Sequence, residues 1–260
     1  MNHWAGWALV LTLAVPADAG ADCPAAAFIQ RHRADIATAS LRSGVPAAAI
    51  AGVIVAESTL NRNLVDRAQD AWLATQLALH GDVWWDDWAR TWSRETERAA
   101  GARWVGNKWP VSVIASGYVM SFGAAQIQPR TALRACAGVT AAVPACTGGT
   151  KTLLHALLDE ATSIGLAALV LQFEAVQWRD RTGRDVRADI AFLATLYSSG
   201  GEYVYASQGV GGRKPNRMGA WLQPRLRPIS LLLQGHDADL SGTQPGVLCE
   251  GAGKVRGPAG

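Results

Sequence analysis

The stretch that decides the class of this chain is Pro46-Ala47-Ala48-Ala49-Ile50-Ala51-Gly52-Val53-Ile54-Val55-Ala56-Glu57-Ser58. A proline suits the first turn of a helix, where its missing N–H would lack a partner anyway, and small or apolar residues follow it out to about Asn61. Counted from Ile50 at about 100° per residue, Val53, Ile54 and Glu57 fall on one arc, so the carboxylate points where the apolar side chains point. Burying a carboxylate without a cation is unfavourable, and desolvation raises its pKa, which keeps it protonated near neutral pH. A general acid needs that property. On the wheel alone the plainer reading leads: a helix-end Glu that reaches water or pairs with Arg62 or Arg67.

Outward from this helix the helical period continues. Ala25 to Leu41 predicts a first helix, and Leu153, Leu157, Ala161, Ile164, Ala168 and Leu171 form one stripe that predicts a single long helix, weakened but not broken by Gly165. Asp189 to Ser198 predicts a shorter one with Ile190, Leu193 and Tyr197 on one face, ended by Gly200-Gly201. Few segments alternate with period two, and there is no repeat or long linker, so the class is mainly α. Between the second helix and Gly123 stand Trp72, Trp84, Trp85, Trp88, Trp92, Trp104 and Trp109, seven of the eleven tryptophans. Trp84, Trp85, Trp88 and Trp92 share a helical face, with Asp86, Asp87, Arg90, Arg94 and Glu97 elsewhere; core packing is the first reading of such a stripe and ligand stacking the second. Trp104 and Trp109 lie in a Gly/Asn/Pro-containing segment and are freer candidates for a sugar-stacking wall.

With 260 residues, 49% apolar and 17% charged, the chain can bury one compact core and is neither disordered nor collagen-like. A formal charge of +3 falls far short of the basic excess of nonspecific nucleic-acid binders, so nucleic acid is not an expected partner. Trp4 to Val15 is a short apolar run followed by Pro16 and overlapping A-x-A patterns, Ala17-Asp18-Ala19 and Ala19-Gly20-Ala21. This predicts a signal peptide over residues 1–19, cut after Ala19 or Ala21, and export to the periplasm or cell envelope, although Met1-Asn2-His3 carries no Lys or Arg. Asp22 before Cys23 spoils a lipid-attachment pattern.

An even set of cysteines in an exported chain predicts disulfides, and Cys23, Cys136, Cys146 and Cys249 leave three pairings open. Cys136 with Cys146 would close a short Gly/Pro/Thr loop, and Cys23 with Cys249 would tie the two ends; four reduced, buried thiols are the alternative. With no C-x-x-C and five scattered histidines, neither a metal nor another cofactor is expected. Residues 209–214, Gly-Val-Gly-Gly-Arg-Lys, are followed by Pro215 and lack the spacing of a phosphate loop, and no G-x-S-x-G elbow exists.

Two later segments change the weight on Glu57. Glu57-Ser58 is followed by Ser121-Phe122-Gly123-Ala124-Ala125-Gln126-Ile127-Gln128-Pro129-Arg130-Thr131-Ala132, and then by Leu196-Tyr197-Ser198-Ser199-Gly200. In this order they resemble the lytic transglycosylase family, with its lysozyme-like, goose-type fold. In that family an apolar helix ends in Glu-Ser, a G-x-x-Q-I-x-P-x-T-A segment follows, and a later helix ends in Ala-Tyr-Asn-x-Gly. The second motif is the most specific, with Gly123, Gln126, Ile127, Pro129, Thr131 and Ala132 all in register. The resemblance implies a catalytic domain over residues 22–235 with a Trp-rich helical insertion at 66–115, and a tail at 236–260. There are two departures. The family separates its first two motifs by a much shorter stretch, and its third-motif Asn is replaced here by Ser198, preceded by Leu196 instead of Ala.

Carried over position by position, the resemblance makes Glu57 the catalytic acid and base and Gln126 a groove residue touching an N-acetyl sugar. Tyr197 becomes a hydroxyl near the carboxyl, and Ser58 and Ser198 become substrate-binding groups. The substrate would be a peptidoglycan glycan strand, cut between MurNAc and GlcNAc with one carboxyl group and leaving a 1,6-anhydro end; envelope or secretion machinery would be a further partner. A hydrolase of the same fold, a lysozyme or chitinase, needs a second carboxylate if it inverts, for which Asp66, Asp70, Asp82, Asp86 and Glu202 are available. Ser198 and the long Trp-rich segment motivate a third alternative, a decayed peptidoglycan-binding or secretion-apparatus scaffold. Without the motif order, Tyr197 reads as a core aromatic and Gln126 as an ordinary polar group.

Overall fold

In the computed structural model, the described residues are 23–61, 64–99, 120–139, 143–235 and 248. They form twelve α-helices: α1 Pro24–Arg31, α2 Arg33–Ser43, α3 Ala47–Leu60, α4 Leu64–Leu79, α5 Asp82–Ala99, α6 Pro129–Gly138, α7 Gly149–Leu158, α8 Glu160–Thr182, α9 Ile190–Ser199, α10 Gly201–Gln208, α11 Arg217–Leu222 and α12 Leu226–Gln234. Among the described residues the only pairing of extended backbone is one antiparallel bridge, Phe122 with Ile127, so the mainly α class is borne out. No single described helix is long and apolar enough to cross a membrane.

The organising element is α3, which starts after Pro46 as the proline predicts. Every residue from Ala49 to Glu57 is buried, so the helix is enclosed on all sides and has no single apolar face. This is broader than the arc read from the sequence. Around α3 pack α2, α8, α9, α11 and α12. The α11 contact needs a glycine: a Cβ on Gly52 would lie 2.6 Å from a Leu222 methyl, so the missing side chain is the hole that Leu222 fills.

Two predicted helices are each broken in two. The first divides at His32, whose ring nitrogens meet Asp35 Oδ2 and, 128 residues away in sequence, Glu160 Oε2, both at 3.0 Å. The second partner is invisible to a local reading. The long apolar stripe divides at Asp159, an extended residue whose carboxylate accepts the Thr162 N–H at 2.8 Å and caps α8. There α7 and α8 meet at a bend of 106°, while Gly165 stays helical.

The described part of the Trp-rich stretch forms two helices, α4 and α5, joined at His80-Gly81, and each packs on α7. Trp85 and Trp88 are buried and meet edge to face, as the packing reading expects. Trp84 does not follow them: it is 41% exposed and stacks on the His80 ring at 3.9 Å. Cys136 and Cys146 are joined in a disulfide that ties α6 to the 3-10 turn Pro144–Cys146 ahead of α7. The other expected bond has its Cys249 end outside the described residues. Also outside them lie residues 1–19, Trp104 and Trp109, the side chain of Trp92, and the tail 236–260 apart from Leu248.

Candidate functional site

Glu57 stands near the end of α3 as the last fully enclosed residue, 6% exposed. Burial pushes its carboxyl from the ordinary 4.5 up to about 7; the Asn61 amide, donating to Oε2 at 2.6 Å, pulls the other way, and the charge of Asp66 raises it further. Of the cationic partners the sequence suggested, Arg67 is not among the groups acting on this carboxyl. Arg67 is exposed and Arg62 lies outside the described residues. Asn61 is one helical turn from Glu57, and that i,i+4 spacing was the available signal.

The second part is the loop 123–126, pinched by the Phe122–Ile127 bridge with N–H···O distances of 3.1 and 3.2 Å. At Gly123, φ is +69° and a Cβ would fall 1.8 Å from the Leu157 carbonyl oxygen, so no other residue fits without moving α7. The Gly123 N–H donates to Asp70 Oδ1 at 2.8 Å, which fastens the loop to α4. Gln126 is the only non-glycine residue with positive φ, +50°, among the described residues. Its side-chain Nε2 turns back to the Gly123 carbonyl at 2.9 Å. A left-handed Gln costs about 1 kcal/mol and persists because the surrounding bonds over-determine it, a pattern that favours functional positions.

The third part is the end of α9. The Tyr197 ring is partly exposed but its hydroxyl points inward and donates to the Ala125 carbonyl at 2.6 Å. Burial, and after it the Glu57 carboxylate, push the phenol well above its usual range. The ends of α3 and α9 and the Gln126 loop therefore meet at one place: Glu57 lies within electrostatic reach of Tyr197, and Tyr197 is bonded to the residue before Gln126. Ser58 is exposed and donates to the Val55 carbonyl at 2.9 Å. Ser198 is exposed and accepts from the Asn216 amide at 2.6 Å; the same amide reaches Ser199 at 2.9 Å. Asn216 also caps α11 through Gly219 N–H at 3.1 Å. Nothing local in the sequence links residue 216 to residue 198.

No family model, curated protein or solved structure matches the chain.

The carboxylates proposed as a second catalytic group are dispersed. Asp66 acts on Glu57 through its charge, Asp70 anchors the Gly123 loop, and Asp86 faces the Thr150 N–H at 3.3 Å. Glu202 pairs with Arg134 at 3.2 Å and Arg181 at 3.1 Å, and Asp82 is exposed at the start of α5. A cavity of about 350 Å³ lies on the α4 side of the loop, lined by Asp70, Ala71, Ala74, Gly123, Ala124, Leu158 and Glu160. Glu57 does not line it. A buried carboxyl the sequence did not single out is Glu174 on α8, pushed up to about 7 by burial and accepting the Gly201 N–H at 2.7 Å. Among the described residues no group of three His, Cys, Asp or Glu could hold a metal ion. What the junction can do is donate a proton near neutral pH to an oxygen brought against Glu57, and take one back.

Proposed function

We propose that the chain is an exported lytic transglycosylase of the lysozyme-like fold, in which most of α4 and all of α5 belong to an insertion at 66–115 and the substrate is the MurNAc-GlcNAc strand of peptidoglycan. The observation that carries this is the enclosed Glu57, held up at about 7 and set beside Tyr197 and the Gln126 loop, the sites of the other two motifs. Glu57 gives its proton to the glycosidic oxygen as the C1–O bond breaks, and the charge left on the sugar is oxocarbenium-like. The ionised Glu57 then takes the proton of the C6 hydroxyl while that oxygen closes on C1. The acid is regenerated and no water is consumed. Tyr197 keeps the Gln126 loop in register with the carboxyl, and Gln126 faces the N-acetyl sugar.

Asp66 favours a second reading. Its charge acts on Glu57, so it is the carboxylate best placed to activate water in a hydrolase of the same fold. One digest separates the two. Purified protein incubated with peptidoglycan should release anhydro-muropeptides detectable by mass spectrometry; reducing ends in their place select the hydrolase, and no release of either overturns both. Glu57→Gln should abolish release and leave the fold intact.

A further inference from the structure

Between Glu202 and the end of α12 the chain has no acidic residue and five basic ones: Arg213, Lys214, Arg217, Arg225 and Arg227. Arg225 is engaged, donating to the Trp221 carbonyl at 2.8 Å and lying over the Trp221 ring. Arg213, Lys214, Arg217 and Arg227 are exposed, and none of these four is in an ion pair among the described residues. Four cations without an ion pair among the described residues, and with no carboxylate between them in the sequence, make a one-sign run, which surfaces built only for solubility avoid.

Its position is fixed by hydrogen bonds. The loop after α10 is closed in both directions by Gln208, whose Nε2 donates to the Lys214 carbonyl at 3.1 Å and whose Oε1 accepts the Lys214 N–H at 3.0 Å. Asn216 then ties the loop to α9: its N–H reaches Thr195 Oγ1 at 3.1 Å, and its amide holds Ser198 and Ser199. Successive Cα atoms are about 3.8 Å apart, so Lys214 and Arg217 lie within about 8 Å of Asn216. Lys214 at the end of the loop and Arg217 at the start of α11 are therefore mounted beside the α9 end that carries Tyr197, with Arg213 next to Lys214 along the chain.

We infer that Arg213, Lys214 and Arg217 form a rail that binds the carboxylates of a polyanionic cell-wall strand as it is brought to the junction of Glu57 and Tyr197, and so select carboxylate-bearing peptidoglycan over a neutral glycan of the same sugars. The inference rests on the function proposed above. Arg takes carboxylates in bidentate pairs and Lys takes them as a point charge, and exposed pairs of this kind are weakened by salt. The sugar backbone is the same with or without its carboxylates; only the charged form is held by the rail.

The test is sedimentation of Glu57→Gln protein with sacculi freed of attached anionic polymers, either untreated or capped at every carboxylate by carbodiimide coupling to an amine, together with competition by the soluble glycan strands that an amidase releases on removing the stem peptides. The expected result is strong binding to untreated sacculi, about tenfold weaker at high salt, and equally weakened by capping or by the triple variant R213E/K214E/R217E. In the intact strand each lactyl carboxyl is the amide to its stem peptide, so the rail's ligand there is a stem carboxylate. The amidase removes those and frees the lactyl carboxylate. Released strands that fail to compete restrict the rail to stem carboxylates, and strands that compete show that it takes the lactyl group as well; either supports the rail. Circular dichroism and the melting point of the triple variant should match the parent, because the three side chains are exposed. Equal binding to capped and untreated sacculi, or a triple variant that binds like the parent, overturns the inference and leaves the proposed reaction standing. Tighter binding to anionic vesicles or DNA than to sacculi also overturns it. Cation-dependent binding by a parent protein that releases no product overturns the proposed reaction and supports the rail.

Discussion

At the scale of single residues, Glu57 makes a prediction about stability as well as turnover. Its carboxyl rises from 4.5 to about 7 on folding, so between those values the folded chain holds a proton that the unfolded chain has lost. Stability contributed by the protonated form is full below 4.5 and declines as pH rises toward 7, and above that the buried charge is a constant burden. Glu57→Gln keeps the shape and removes the charge. It should match the parent in urea melts at about pH 4 and exceed it by roughly 2–3 kcal/mol at about pH 8. A variant less stable than the parent at the higher pH would mean the carboxyl is not desolvated. Gln126 makes a companion case. Gln126→Gly should relieve the left-handed strain, gain up to about 1 kcal/mol in thermal melts and lower activity, since glycine tolerates positive φ but lacks the amide. Tyr197→Phe loses the bond to the Ala125 carbonyl, which should cost about 1 kcal/mol and most of the glycan cleavage.

Elements show what could be read from the residues and what could not. The α3 helix, the Tyr197 helix and the Trp-rich α5 were legible because each carries its own start signal or period, and Cys136 with Cys146 because they are close along the chain. The break between α1 and α2 was not, because half of what holds His32 comes from Glu160 on a distant helix. The α7–α8 break was legible in principle: Asp159 and Thr162 stand at N-cap spacing, and the unbroken apolar stripe masked them. At the candidate site the motif order pointed to Glu57, Gln126 and Tyr197, whereas Asn216 could not be found, since its bonds to Ser198 and Ser199 exist only after α9 and α11 have packed. Two substitutions test this scale. Asp159→Ala should cost about 1 kcal/mol of stability through the lost cap of α8. Gly123→Ala should cost more, roughly 3 kcal/mol or above, because positive φ and the Leu157 carbonyl both oppose a side chain there.

For the whole molecule, the core and the candidate site share one support, since the helix enclosed by α2, α8, α9, α11 and α12 ends in the carboxyl that would do the chemistry. The Cys136–Cys146 bridge strengthens the wall that α6 and α7 form with α8. Its ring spans a separation of 10 residues. Replacing both cysteines by serine should lower the unfolding free energy by roughly 2–3 kcal/mol in urea titrations, by the loop-closure rule. An unchanged midpoint would show that the reduced chain is already constrained there.

The socket at Gly52 carries this linkage further. Five positions before Glu57 on the same rod, it receives Leu222 from the short helix that Asn216 caps. A single methyl inserted at that socket would act as a shim. It would pry the two rods apart, shift the Glu57 carboxyl against the phenol and move the cationic loop relative to both, so a lesion deep in the hydrocarbon would be felt at the surface.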